Sequence, residues 1–154
     1  MKQMTAQTVQ QLIARRLPCE LIGAVDLLVG PAVVRSSQDA EPGALFVAIA
    51  GERFDGHDFA ADAVQGGAVC LLVNRQLAID VPQLVVADTQ LGLSALAAGI
   101  VEDQIAAGAL TTLALTGSSG KTSTKDLLAQ IVATAGPTVA PQGSYNNEIG
   151  VPLT

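Results

Sequence analysis

A short glycine-rich segment, residues 116–123, carries the residues in this chain that could hold a polyphosphate. Its two glycines allow several backbone N–H groups to turn inward, and a helix starting directly after it would add a positive N-terminal end. Lys121 would reach the β- and γ-phosphates as the catalytic cation, and the Thr122 hydroxyl would bind Mg²⁺. The pattern therefore predicts an ATP and Mg²⁺ site, although Leu115 stands where the general phosphate-loop pattern has a glycine. The predicted ATP-binding residues are Thr116, Gly117, Ser118, Ser119, Gly120, Lys121, Thr122 and Ser123.

The segments on either side of this loop fit a strand before it and a helix after it. Residues 110–115 form a β-prone run of strand length, so they predict a strand. Residues 122–135 place five apolar side chains on one helical face, which predicts an amphipathic helix with that face turned inward. Those side chains are Leu127, Leu128, Ile131, Val132 and Ala135.

Composition and charge limit the classes of function that the chain can have. The 154 residues are 49% hydrophobic but only 3% aromatic, so a core must be built from aliphatic side chains. A net charge of −6 without a basic stripe argues against nucleic acid as a partner. No signal peptide and no run of roughly 18 apolar residues is present, so no membrane span and a cytoplasmic location are expected. Cys19 and Cys70 are too isolated for a zinc site or a disulfide framework.

Alternating apolar runs and turn residues predict an α/β fold. Strands separated by a helix and short turns imply a crossover connection and a largely parallel sheet. We expect a small N-terminal α/β domain, followed by the truncated start of a phosphate-loop, parallel-sheet domain that binds ATP. Helices are predicted at 5–16, 58–65 and 88–107, the last with Asp88 as N-cap, and strands at 27–29, 32–34, 44–49, 68–73, 84–87 and 138–140.

The predicted domain boundary lies at Gly108. Residues 1–108 would form the first domain, and residues 109–154 would form the beginning of the second. The second part is too short for a sheet of several parallel strands with an acidic metal ligand after the loop. We therefore expect the chain to be part of a longer protein.

Three stretches together resemble the Mur ligase family. The first is Ser36-Ser37-Gln38 followed by residues 42–48, and the second is the run from Gly51 to Phe59. The third pairs residues 116–122 with Tyr145-Asn146-Asn147-Glu148-Ile149-Gly150-Val151-Pro152. Their order and spacing cover nearly the whole chain, and the last run most resembles the family member that adds D-alanyl-D-alanine.

The resemblance implies an ATP-dependent ligase of peptidoglycan precursor synthesis. Such an enzyme joins D-Ala-D-Ala to UDP-MurNAc-tripeptide through an acyl phosphate, using ATP and Mg²⁺. In the family the N-terminal domain binds the UDP end of the substrate, the central domain binds ATP, and a third domain binds the incoming amino acid or dipeptide. This chain alone is expected to be inactive, since the third domain lies outside it, and a monomer is expected.

The resemblance also implies which residues contact the UDP substrate. Gln38 stands where the family often has arginine, so this position can donate a hydrogen bond but brings no charge. Phe54 is expected to offer a stacking surface and Arg53 a phosphate partner, the alternative being a surface loop with one buried aromatic. A structural or solvent-facing role is expected for His57. The implied UDP-substrate residues are Ser36, Ser37, Gln38, Glu52, Arg53, Phe54, Asn146 and Asn147.

Three other functions remain open at this point. The first is the sibling ligase that adds the third amino acid to UDP-MurNAc-dipeptide. The second is a non-catalytic nucleotide-binding module, in which the phosphate loop only senses a ligand. The third is a phosphate-loop kinase or GTPase, which would bind nucleotide without regard to UDP-sugars.

Overall fold

A five-stranded sheet forms the centre of the computed structural model, which describes residues 1–51, 53–141 and 152–153. The strands are β1 (Met4–Thr5), β2 (Cys19–Ile22), β3 (Leu28–Val29), β4 (Val33–Val34), β5 (Leu45–Val47), β6 (Cys70–Val73) and β7 (Gln83–Val86). The order in the sheet is β2-β7-β6-β5-β4, with β4 to β7 parallel and β2 antiparallel at one edge. Strands β1 and β3 form a separate two-stranded antiparallel ribbon.

Helices cover both faces of the sheet, which is why its central strands are continuous apolar runs. Alternate residues of β5 point to opposite faces, so Leu45 and Val47 join one core cluster and Phe46 joins the other. The first cluster contains side chains of α1 and α3, and the second contains alanines of α2. The α-helices are α1 (Ala6–Ala14), α2 (Ala60–Gln65), α3 (Thr89–Ala106) and α4 (Lys121–Ala133), with short 3₁₀ helices at Ser37–Asp39 and Gly56–Phe59.

The predicted mixed α/β fold with a largely parallel sheet is confirmed in residues 1–107. The long helix α3 begins where expected, because the Asp88 carboxylate accepts hydrogen bonds from the backbone N–H groups of Gln90 and Leu91. The antiparallel edge strand β2 is an addition that the sequence pattern did not indicate. No described helix is long and apolar enough to cross a bilayer.

Two predicted strands, at 110–115 and 138–140, are wrong. The described backbone there forms no strand, and Leu113 is 62% exposed. A strand needs a neighbour to satisfy its backbone hydrogen bonds, and the described residues provide none at either place. The helix after the phosphate loop does form as α4, but its apolar side is only partly covered. Leu128 and Val132 are half-buried, whereas Leu127 and Ile131 are 62% and 66% exposed.

A series of glycine contacts fixes the amino-terminal ends of the parallel strands. The Gly30 N–H donates to the Gly43 carbonyl at 2.7 Å, and the Gly43 N–H donates to the Gly67 carbonyl at 3.0 Å. These glycines precede β4, β5 and β6, respectively. Gly67 has φ +113°, and a Cβ there would lie 2.6 Å from the Pro42 nitrogen. Backbone therefore packs on backbone at this edge, and a side chain would force it apart.

Gly67→Ala should lower the free energy of unfolding by about 2–4 kcal/mol, since it adds overlap with backbone to the strain of a positive φ. Gly108→Ala is the matched control, because Gly108 also has positive φ, +67°, but a Cβ there meets nothing within 4 Å. Urea unfolding followed by circular dichroism would measure both. Equal losses in the two variants would show that the close approach at Gly67 contributes nothing.

Candidate functional site

The carboxyl-terminal ends of β4, β5 and β6 release three neighbouring loops at one edge of the sheet. Parallel α/β sheets bind ligands at this edge, because the loops that leave adjacent strands converge there. Each of these loops carries an arginine: Arg35 directly follows β4, Arg53 lies in the loop after β5, and Arg75 is the second residue after β6. In a chain of net charge −6, this edge is the natural place for an anionic ligand.

The predicted UDP-substrate residues after β4 lie in a tight turn. The Ser36 hydroxyl caps the 3₁₀ helix Ser37–Asp39 by accepting a hydrogen bond from the Gln38 N–H at 3.3 Å. This turn rests on the end of α2, where the Ser37 carbonyl comes within 3.4 Å of the position of a Cβ on Gly66. Gln38 is exposed, whereas Ser36 and Ser37 are half-buried. Gln38 thus has the most freedom of the three to meet a ligand.

The described residues of the loop after β5, 49–51 and 53–56, form a small hairpin that we call the Phe54 loop. The Gly51 N–H donates to the Phe54 carbonyl at 2.9 Å, and the Gly56 N–H donates to the Ile49 carbonyl at 3.0 Å. Phe54 is 71% exposed, so the alternative of a buried aromatic at this position is wrong. Its ring meets that of Phe59 edge to face, with centroids 6.4 Å apart.

The remaining predicted substrate residues, Glu52, Asn146 and Asn147, lie outside the described residues. Their assignment stays a prediction.

A buried histidine connects the Phe54 loop to the end of β6. His57 is 5% exposed, and its Nε2 accepts the Asn74 backbone N–H at 3.0 Å. A ring nitrogen that accepts a hydrogen bond carries no proton, so the ring proton lies on Nδ1, which is 2.5 Å from Asp55 Oδ1. The Asp55 Oδ2 accepts from the Arg75 guanidinium at 2.9 Å. The predicted structural role of His57 therefore has a partner, Asp55, that the sequence analysis overlooked although it stands two residues earlier.

Hydrogen bonds hold the pKa of the Asp55 carboxyl well below its ordinary value of 3.8. The backbone N–H of His57 is the main cause, followed by the His57 ring and the Arg75 guanidinium, all of which favour the ionised form. Asp55 thus remains a carboxylate, and Arg75 balances its charge beside a site suited to anions.

The phosphate loop is fully accessible in the structure. Residues 116–123 are exposed, and Gly120 has φ +75° at the N-cap of α4, where no side chain caps the helix. The first-turn N–H groups of α4 are therefore directed at the loop and can meet a phosphate. The Lys121 ammonium bends back and donates to the Gly117 carbonyl at 2.6 Å, so it lies over the loop.

A protein-only metal centre is absent from the described residues. They contain no group of three or more His, Cys, Asp or Glu side chains that could hold an ion. The assignment of Thr122 as a Mg²⁺ ligand stays a prediction. Both cysteines are free thiols, and burial raises the pKa of Cys70 to about 12 and that of Cys19 to about 11.

Two family domains match the chain and together reach from β4 to its last residue. Residues 33–117 match the domain described as "Mur ligase family, catalytic domain". The chain belongs to the Mur ligase family. Residues 115–154 match the Mur ligase middle domain, so the phosphate loop falls in the second match. Because the two matches overlap at 115–117, they leave the predicted boundary at Gly108 a prediction.

Relatives and solved structures agree with this membership. The UDP-N-acetylmuramoyl-tripeptide–D-alanyl-D-alanine ligase of Escherichia coli K12 is 52% identical over 123 residues, which are 80% of this chain and 26% of that protein. A crystal structure of MurF from Acinetobacter baumannii matches with TM-score 0.82 and 37% identity, over 99% of this chain and 32% of that one. The Thermotoga maritima MurF ligase in complex with ADP matches with TM-score 0.65 and 33% identity, over 79% of this chain and 28% of that one. This Mur ligase chain spans about a quarter of the length of the curated relatives it matches.

Asp55→Asn should make the unfolding temperature of the chain less sensitive to acid. The folded pKa lies below the unfolded value of about 3.9, so the carboxylate stabilises the folded state above that pH, and this stabilisation is lost as the pH falls through the folded pKa. Thermal unfolding from about pH 7 down to about pH 2 would measure it. Asp80→Asn, at an exposed position between β6 and β7, is the control. Equal acid sensitivity of wild type and Asp55→Asn would contradict the role given to these hydrogen bonds.

Proposed function

We propose that this chain provides the UDP-substrate-binding domain and the beginning of the ATP-binding domain of a peptidoglycan ligase. That ligase joins D-Ala-D-Ala to UDP-MurNAc-tripeptide. The observation that carries the proposal is the 52% identity to the Escherichia coli enzyme of that name, and the fold match to MurF over 99% of the chain supports it. Further relatives that are 37–47% identical have the same name, which favours this activity over that of the sibling ligase.

The uridine end of the substrate would bind at the carboxyl edge of the sheet. Phe54 presents most of its ring to solvent, so it can stack on a base, and Arg53 beside it can pair with a phosphate. Gln38 can add a hydrogen bond from the neighbouring loop. Ser36 and Ser37 would contribute through their hydroxyls. The residues outside the described part, Glu52, Asn146 and Asn147, would complete the site.

ATP would bind at residues 116–123, whose arrangement fits a triphosphate. The loop has two glycines, uncapped N–H groups at the start of α4 and a lysine already bent over it. When phosphate binds, Lys121 would exchange the Gly117 carbonyl for phosphate oxygens, and the loop N–H groups would offset the remaining charge. Mg²⁺ would be held by the Thr122 hydroxyl together with the nucleotide, where it would share the charge of the phosphates.

The reaction needs an activated carboxylate, since an amine does not displace hydroxide from a carboxylate at useful rates. Bound ATP supplies the phosphoryl group that converts the tripeptide carboxylate into an acyl phosphate, from which the D-Ala-D-Ala amine displaces phosphate. The work of this chain is to hold the two ligands and to stabilise charge with Lys121 and the loop amides. We also propose that the protein acts in the cytoplasm as a monomer.

Calorimetry with UDP-MurNAc-tripeptide and with ATP tests the proposal on the 154-residue chain. Each ligand should bind without weakening the other, because the two sites lie on different predicted domains. Binding of ATP without any binding of the UDP substrate would instead favour a phosphate-loop kinase or GTPase. Product formation by this chain alone would contradict the division of labour proposed here.

Phe54→Ala should weaken binding of UDP-MurNAc-tripeptide by roughly 5- to 150-fold, since base stacking on an aromatic ring contributes about 1–3 kcal/mol. Leu28→Ala is the control, because Leu28 is also an exposed large apolar residue, 54% accessible, and it lies in the separate β1–β3 ribbon. An unchanged dissociation constant in Phe54→Ala would contradict the placement of the uridine against this loop.

Lys121→Ala should weaken ATP binding by roughly tenfold or more, because it removes a charge-assisted hydrogen bond to phosphate, and should leave UDP-substrate binding unchanged. Lys125→Ala is the matched control in the same helix, since Lys125 pairs with Asp126 and with the Pro141 carbonyl. Equal loss of both ligands in Lys121→Ala would mean that the two sites are not separate.

A further inference from the structure

The Phe54 loop has few apolar contacts: Ile49 packs partly against the core at its base, and the Phe54 ring meets the Phe59 ring. Its described tip residues Gly51, Arg53 and Phe54 are exposed, and the backbone hydrogen bonds of the described residues at the tip lie within the loop. Such a hairpin keeps its internal shape but can pivot as a unit about its two ends. Further contacts must therefore fix the orientation of the loop relative to the sheet.

Polar contacts from Asp55 connect the Phe54 loop to the end of β6. Asp55 directly follows Phe54, and its carboxylate accepts one hydrogen bond from Arg75 and two from His57, through the backbone N–H and ring Nδ1. His57 in turn accepts the N–H of Asn74. Because Asn74 and Arg75 are the first two residues after β6, both contacts lead to the end of the strand beside β5.

We propose that Asp55, His57 and Arg75 are positioning residues that hold the Phe54 loop against the end of β6, so that Phe54 and Arg53 are preorganised to bind the uridine nucleotide. The inference rests on the proposed function, since that function supplies the ligand. These three residues act through the loop and do not themselves need to touch the nucleotide.

Two physical effects give the arrangement its value for binding. A loop fixed before binding loses less conformational freedom when the ligand arrives, so more of the stacking energy appears as affinity. In addition, Arg75 balances the Asp55 carboxylate, which would otherwise repel a diphosphate at the same edge of the sheet. Neither effect requires Arg75 to contact the ligand.

The position of the loop can be measured without any ligand. The chain has no tryptophan, so Phe54→Trp places a single reporter on the loop. In that background Arg75→Gln should raise the quenching of the tryptophan by acrylamide, and Arg15→Gln should not. Arg15 is a close match, because it is 45% exposed and pairs with Asp103 at 2.7 Å, whereas Arg75 is 51% exposed and pairs with Asp55 at 2.9 Å. Identical quenching in the two variants would overturn the proposal whether or not the chain binds a nucleotide.

The effect on binding is tested by calorimetry with UDP on wild type, Arg75→Gln, Phe54→Ala and the double variant. Arg75→Gln should weaken binding roughly three- to fivefold, since a partly exposed ion pair contributes at most about 1 kcal/mol, while Arg15→Gln changes it less than about twofold. In the Phe54→Ala background Arg75→Gln should have little further effect, because Arg75 acts through the loop. Full additivity would instead make Arg75 a direct ligand and overturn its positioning role.

The outcomes separate the inference from the function beneath it. If wild type fails to bind UDP, the proposed function fails, while the quenching result still decides whether the loop is held. If wild type binds UDP and Phe54→Ala weakens it but Arg75→Gln does not, the function stands and the inference is wrong. Arg75→Lys should restore part of the affinity, because it keeps the charge but not the fork of donors.

Discussion

The parallel pairing of β4, β5, β6 and β7 is the constraint on which the rest of the structure depends. Because the four strands run in one direction, their beginnings lie at one edge of the sheet and their ends at the other. The beginnings of β4, β5 and β6 are packed backbone to backbone through glycine, which leaves no room for a side chain at Gly43 or Gly67. The ends release polar loops that carry an arginine after each of three strands. The close glycine packing and the proposed ligand-binding loops therefore lie at opposite ends of the strands.

Much of this fold could be predicted from the sequence because burial on both faces leaves a strong pattern. Strands β5, β6 and β7 are continuous apolar runs, and α3 has a recognisable cap at Asp88. Strand β2 gave no comparable signal, because an edge strand is only half covered. The strand expected at 110–115 failed for the opposite reason: its side chains suit a sheet, but a strand exists only beside a partner, and local sequence cannot show whether one is present.

For the candidate site too, local sequence features could be predicted, whereas contacts between distant residues could not. The phosphate loop could be found from a short motif, because it depends on residues that are neighbours in the sequence, and the family resemblance pointed to Phe54. The contact between Asp55 and Arg75 could not, since twenty residues and a crossover helix separate them, and only the adjacency of β5 and β6 brings them together. The sequence also gave no reason to expect that Lys121 would lie on the Gly117 carbonyl, which depends on the side-chain conformation.

The exposed apolar side of α4 has a thermodynamic consequence for the nucleotide. A helix of 13 residues with no buried side chain is only marginally stable in water, so much of its order must come from outside it. Packing that covers Leu127 and Ile131 would order the same backbone whose first N–H groups face a phosphate. Phosphate binding at the start of α4 and packing along its side therefore stabilise each other. Bound phosphate favours the packing, and the packing raises the affinity for phosphate by the same free energy.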